Sequence, residues 1–280
     1  MNQDYPITLL CAVMAVSRSG YHAWAGGRHS VRERRDAALR PKLRAAFDAS
    51  RQTYGYPRMT VELREQYEPV GKVRVARLMR EEGLCGRPRR RYRPQTTQSN
   101  HDSPIAPNRL AQIQTITASD QVWQADITYL STTAGWLYLA VVIDAYSKRV
   151  IGWAFSASLA TDFVITALLM AVQRRGGRCA PGLLLHSDRG VQYASERFRA
   201  QLTAHGITAS MSRRGNCYDN ARTESFFSTL KIEHTYRHHF ADHDEARQST
   251  FEWIEAFYNL RRRHSSIGYL SPVDFENQTN

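Results

Sequence analysis

At residue 122 the chain changes its period, and that change restricts the fold more than any other feature of the sequence. Val122–Leu130 sets Trp123, Ala125, Ile127 and Tyr129 against Gln124, Asp126 and Thr128, the two-residue alternation of a strand with one buried face. A turn at Gly135 leads into the nearly all-apolar WLYLAVVID, and RVIGWAFSA supplies a third strand. Thr161–Arg175 reads as a helix that is apolar around most of its circumference, and LLLHSD (183–188) as a buried strand. A helix over 195–205 and a short strand, ITASMS (207–212), follow. The loop RRGNCYDN then delivers a helix running from about Asn220 to Glu233.

Three strands, then helix, strand, helix, strand, helix is the order of an α/β, ribonuclease-H-like core, a mixed sheet flanked by helices. We assign it residues 120–235. The remainder, 236–280, reads as a helical tail with an aromatic-rich helix (Phe251, Trp253, Ile254, Phe257, Tyr258) and the segment RRRHSSIGYLSP.

Ahead of the core the periodicity is helical throughout. Residues 7–24 read as helix, polar turn at Ser17–Gly20, and short helix, with a longer polar helix over 30–49; together they make an N-terminal helical segment, 1–50. Residues 58–83 again read helix, turn at Pro69–Gly71, helix, with Gly83 as the stop, a helix-turn-helix-like DNA-binding module over 51–86. On its second helix Val75, Ala76, Leu78 and Met79 share one arc, and Arg74, Arg77 and Arg80 the opposite one. That is the pattern of a recognition helix laid against DNA, and equally of an amphipathic helix with a solvated arginine face. Between the modules, residues 87–119 read as a proline-broken linker that carries five arginines in 87–93, among them Arg89, Arg90 and Arg91. Such a tether can lie along a phosphate backbone.

The charge supports this division. Residues 1–110 hold 21 Lys and Arg against 10 Asp and Glu, whereas 231–280 hold 6 against 8, so the net +12 is concentrated in the N-terminal part. A polyanionic partner for that part follows. With 42% hydrophobic residues the composition is that of a folded globular protein. The longest apolar stretches, Leu137–Ile143 and Phe163–Val172, are too short to cross a bilayer, and no secretory leader is present, which points to the cytoplasm. Cysteines at 11, 85, 179 and 217 form no CxxC pair, which argues against zinc.

Three acids stand out by position. Asp126 lies on the polar face of the first strand, where a half-buried sheet has little structural use for a carboxylate. Asp188 ends a strand of leucines and is followed at once by the turn Arg189–Gly190, and ligands of parallel sheets gather beyond carboxyl strand ends. Glu224 sits one turn into a helix, with 35 residues between it and Asp188. Phosphodiester cleavage needs a nucleophile made at neutral pH and charge neutralised on attacking and leaving oxygens. Two divalent ions provide both, and hard cations favour carboxylate oxygens over Cys or His. Asp144 fails the same test because it precedes a turn beside Lys148 and Arg149, and Asp219 reads as a helix cap. Around the triad, Lys231 lies two helical turns beyond Glu224 on the same face, and Asn220 one turn before it. Gly190, Gln192 and Tyr193 shape the turn after Asp188, and His186 shares its strand face as a supporting group, a DNA contact or a core-packed histidine. Arg213 and Arg214 sit in the loop ahead of Glu224, positioned for DNA phosphates.

Asp126 in WQADITYL, Asp188 in LHSDRGVQYAS and Glu224 in GNCYDNARTESFFSTLK resemble the DDE signature of bacterial insertion-sequence transposases, and most of all the OrfB proteins of the IS-three family, whose cores are similar to retroviral integrases. The likeness extends to VSRSGYHAW, YGYPRMTVELR, VARLMREEGLCG, VIDAYSKRVIGW and YNLRRRHSSIGYLSP, and so covers nearly the whole chain. Arg222, Thr223, Pro57 and the arginine triplet at 261–263 depart from the family pattern without touching the triad. The resemblance implies metal-dependent cleavage of double-stranded element ends, a freed 3′-hydroxyl, and its direct attack on target DNA without a covalent protein–DNA intermediate. It also implies two Mg²⁺ ions (Mn²⁺ substituting), with a phosphate contact for Lys231. At least two protomers would meet in a synaptic complex, and an upstream OrfA product would act as a partner or fusion. A catalytically silent DNA-binding regulator derived from such an element is the alternative. A tyrosine recombinase is disfavoured, because Arg262, His264 and Tyr269 crowd into one short segment behind a sheet.

Overall fold

The computed structural model describes residues 5–27, 30–67, 69–87, 104–213 and 221–279. The chain divides into two compact units, 1–86 and 87–280.

The first unit is helical among its described residues: α1 (Ile7–Val13), α2 (Arg18–Ala25), α3 (Val31–Ala49), α4 (Tyr56–Gln66) and α5 (Lys72–Glu81). Local chemistry explains the starts. The Ser17 hydroxyl accepts from the Gly20 amide, and Ser30 and Glu33 form a reciprocal capping box ahead of α3. Leu39 and Leu43 from α3, Met59 and Leu63 from α4, and Val75 and Leu78 from α5 are fully buried together. Asp36 is buried at the α3–α5 contact, held by Arg74 and Arg77. Burial opposes the Asp36 charge, but hydrogen bonds from Arg77 and then Arg74 outweigh it and hold the carboxyl below its ordinary range.

The second unit is built on a five-stranded sheet of order β3-β2-β1-β4-β5. Its strands are β1 (Val122–Thr132), β2 (Gly135–Asp144), β3 (Val150–Ser156), β4 (Leu184–Ser187) and β5 (Thr208–Met211). The first three are antiparallel, and β4 and β5 run parallel to β1. One face carries α6 (Thr161–Arg174), α7 (Val191–Ala194) and α8 (Glu196–Ala204) over a core that includes Trp123, Ala125, Val142, Leu168, Tyr193 and Phe198. Gly152 permits this packing, since a Cβ there would stand 2.1 Å from the Ala167 carbonyl oxygen of α6. The single-turn α7 was not expected from sequence, being too short to show a period.

The far end of the chain behaves differently from the tail read in the sequence. It comprises α10 (His243–Glu252), a π-helical stretch Trp253–Asn259 and α11 (Pro272–Thr279). Phe240 and Ala246 complete a small core with Leu130 and Leu137 of the sheet. Asn259 accepts from the Val150 amide and donates to its carbonyl, and Glu276 receives Ser147, Arg149 and Arg175. These contacts make 236–280 part of the core unit. The second half of the expected linker is also docked: Leu110 and Ile116 pack on Val122, Ala145 and Leu184, and the Arg109 and Leu110 amides donate to Ser210 Oγ. Polar and proline-rich composition conceals a segment that contributes only a few apolar anchors.

Candidate active site

Strand register brings the first two acids together. Gln124 lies opposite His186 in the parallel β1–β4 pair, and two residues further along each chain stand Asp126 and Asp188. Asp188 turns back on itself, its Oδ1 accepting the Gly190 amide at 3.0 Å, and Asp126 Oδ1 accepts the Ile127 amide at 2.8 Å. Burial above all, and then the Asp188 charge, push the Asp126 carboxyl well above the usual carboxylate range. The Ile127 hydrogen bond and the Lys231 charge work in the opposite direction.

Glu224 lies in the first turn of α9 (Ala221–Glu233), solvent-exposed and within electrostatic reach of Asp126. Among the described residues no three His, Cys, Asp or Glu side chains are drawn close enough to hold one metal ion. The fold preassembles the aspartate pair, and the glutamate belongs to a separate helix end. The donor set nonetheless suits a hard divalent cation, since it offers only carboxylate oxygens, two of which repel each other across adjacent strands.

The described supporting residues each have a definite place. Lys231, on α9, is buried, with its Nζ 4.7 Å from the centroid of the Tyr129 ring. Burial lowers its pKa, against the opposing pull of Asp126. His186 is fully buried and spans β4 to β5, its Nδ1 2.9 Å from Ser210 Oγ and its Nε2 3.1 Å from Ser212 Oγ. Of the readings open to it, the structure selects the core-packed one: no ring nitrogen faces solvent. The alternation of Ser210 on β5 with Ser212 just past its end was the available signal for this. Gln192 donates to the Leu159 carbonyl, and Tyr193 packs edge-on against Phe198. A Cβ at Gly190 would stand 3.0 Å from Asp188 Oδ1 and 3.1 Å from Gln192 Oε1, so only glycine leaves that carboxylate where it is.

The cationic residues divide. Arg74 and Arg77 serve first as struts to Asp36, whereas Arg80 is exposed on α5. Arg213 is exposed. Arg89, Arg90, Arg91, Arg214 and Asn220 lie outside the described residues. Asp144, set aside from sequence, is fully buried and accepts the Asp120, Tyr146 and Ser147 amides, a structural carboxylate.

Sequence reading missed what fixes α9. Phe226 packs edge-on against Tyr258 at 4.8 Å and beside Trp253, and Glu233 is paired with the buried Arg262 at 2.6 Å. Arg262 thus belongs to the far end of the helix that carries Glu224.

Known proteins agree with this architecture. A family model described as an integrase core domain matches residues 116–217, a second integrase core domain model matches 205–272, and an HTH-like domain model matches 33–92. The chain is 43% identical over 266 residues to the insertion element IS600 uncharacterized 31 kDa protein of Shigella sonnei, covering 95% of this chain and 97% of that one. It is 41% identical over 277 residues to the transposase InsF for insertion sequence IS3A of Escherichia coli K12, covering 98% and 95%. Among solved structures, a chain of the simian T-cell lymphotropic virus intasome in complex with PP2A regulatory subunit B56 gamma matches with a TM-score of 0.49 at 16% identity, over 80% of this chain and 70% of that one. With a mixed sheet bearing paired acidic strand ends and relatives this similar over nearly its full length, the chain belongs to the IS3 family of insertion-sequence transposases.

Proposed function

We propose that this chain is a DNA transposase that cuts the ends of its insertion element to free a 3′-hydroxyl and joins that end directly to target DNA. The observation that carries the reading is that Asp126 on β1 and Asp188 just past the end of β4 each lie two residues beyond the paired Gln124 and His186, with Asp188 and Glu224 in electrostatic reach of Asp126, in a member of a transposase family. Asp126, Asp188 and Glu224 would hold two divalent cations, Mg²⁺ or Mn²⁺. When bound there, such ions make an attacking oxygen available at neutral pH and offset charge on attacking and leaving oxygens alike.

The protein's own groups do the rest. The Gly190 and Ile127 amides each hold one oxygen of an aspartate. Lys231 brings a positive charge to the inner face of the Glu224 helix, suited to a phosphate beside the scissile bond. Arg213 and Arg214, which precede α9 in sequence, add to that charge. The helix-turn-helix-like unit, through Arg80 and the half-exposed edges of Arg74 and Arg77, together with Arg89, Arg90 and Arg91, anchors terminal-repeat DNA. Two or more protomers pair the element ends, and an upstream OrfA product completes the assembly.

The test is substitution of each acid. Asp126→Asn, Asp188→Asn and Glu224→Gln each abolish cleavage and strand transfer on labelled element ends, while binding to those ends persists, since most affinity resides in phosphate contacts elsewhere. A variant that keeps more than a few per cent of activity removes its residue from the site.

A further inference from the structure

Lys231 is only 9% exposed, and among the described residues no hydrogen bond or ion pair holds its ammonium. Lysines are almost never buried without a partner, so this one calls for a reason. The group it does meet is the ring of Tyr129, with Nζ over the ring at 4.7 Å from the centroid. Tyr129 is itself backed by Trp136 of β2, edge-on at 4.7 Å, and rides on a strand that pairs with β2 from Trp123 to Thr132. Tyr129 lies three residues beyond Asp126 on β1, about 10 Å at strand spacing. Lys231 lies seven residues beyond Glu224 on α9, again about 10 Å at the rise of a helix. The contact thus joins the strand that carries one acid to the helix that carries another. A leucine at 129 would fill the space and offer a cation nothing. A carboxylate there would neutralise the ammonium and hold it back from any phosphate. An aromatic face attracts the cation and leaves its charge intact, and it does so most strongly where water is excluded.

We propose that Tyr129 is a positioning residue that acts through Lys231: the face of its ring holds the buried ammonium in place without cancelling its charge, which is thereby kept for a DNA backbone phosphate beside the scissile one. The inference rests on the reading of Lys231 as a phosphate contact. Tyr129 touches no reacting atom in this scheme. It decides where the cation stands and that it stands there charged.

The experiment uses the full chain and labelled, pre-cut element ends, and records affinity by fluorescence anisotropy, the rate of strand transfer, and the thermal midpoint. Position 129 is filled with phenylalanine, then with phenylalanines bearing one, two and three ring fluorines, which drain negative charge from the ring face at nearly constant shape. The phenylalanine chain is the reference, so the tyrosine hydroxyl plays no part in the comparison. Affinity and transfer are expected to fall stepwise with fluorination, to about a tenth in all, with an unchanged thermal midpoint. Lys231→Ala is expected to lose about tenfold in affinity, and in that background the fluorinated series is expected to be flat. If fluorination changes nothing while Lys231→Ala is impaired, the ring does not act on the cation, and the phosphate contact stands without it. If the series falls equally in the Lys231→Ala background, or the thermal midpoint falls in step with affinity, Tyr129 is a packing element and the proposal fails. If Lys231→Ala binds and transfers like the parent, the phosphate assignment fails and takes the proposal with it.

Discussion

At Asp188 the backbone and a single missing Cβ decide the geometry. The Gly190 amide holds one carboxylate oxygen, and any side chain at 190 would press on that same oxygen from 3.0 Å. Gly190→Ala therefore shifts the carboxylate by a few tenths of an ångström without opening the fold. Cleavage of element ends is expected to slow about tenfold, with little change in thermal midpoint, as steady-state rates and calorimetry would register. An unaltered rate would mean that Asp188 Oδ1 has no fixed task. At this scale the acids were legible because a carboxylate on a strand's polar face or at its end has few structural uses, and Asp126 and Asp188 occupy just those places. Tyr193 was legible only as a turn residue: nothing in its local sequence shows that the ring joins the core beside Phe198.

Helix α9 is held at its far end by a buried ion pair. Glu233 and Arg262 are 8% and 4% exposed, so removing one partner takes the paired opposite charge from the other where water does not replace it. Arg262→Met is expected to cost about 3–5 kcal/mol in urea denaturation, and the double variant Glu233→Met/Arg262→Met to recover most of it, since an apolar pair of similar size needs no compensation. A double variant as unstable as the single one would show that Arg262 acts through packing on Tyr258 instead of through charge. The element boundaries themselves were largely readable: Ser30 with Glu33 marks the start of α3, and the alternation from Trp123 to Tyr129 marks β1. The π-helical stretch at Trp253–Asn259 was not. Its wide turn, seen in the Arg262 amide donating to the Phe257 carbonyl, is set by what Trp253 and Tyr258 must touch on α9, and local propensity carries no record of that.

Across the whole molecule the catalytic unit runs from the docked segment near residue 104 to α11, and truncation should respect that. A fragment 104–280 is expected to fold cooperatively yet lose affinity for terminal DNA together with its steep salt dependence; retention of both would remove the N-terminal unit as the anchor. Burial opposes the charge of Glu276, but hydrogen bonds from Arg175, Ser147 and Arg149 outweigh it and hold the folded carboxyl below its ordinary range. A carboxyl depressed on folding contributes stability above its unfolded pKa of about 4.3 and loses it as pH falls through the lower folded value. Glu276→Gln is thus expected to be about 3 kcal/mol less stable than the parent at pH 7, with the gap closing below about pH 4; a gap independent of pH would assign the loss to shape alone. The helices of the tail were legible but their docking was not, because its anchors, Phe240, Asn259 and Glu276, are isolated residues whose partners lie about a hundred positions away. The same long-distance dependence has a consequence for the cell. Asp126 meets Asp188 only when β1 and β4 align in one register, and a slip of a single residue turns the aspartate to the sheet's other side. On the proposed assignment of these acids, a newly made or half-collapsed chain has no cutting edge, and the genome that encodes it meets the blade only after folding is finished.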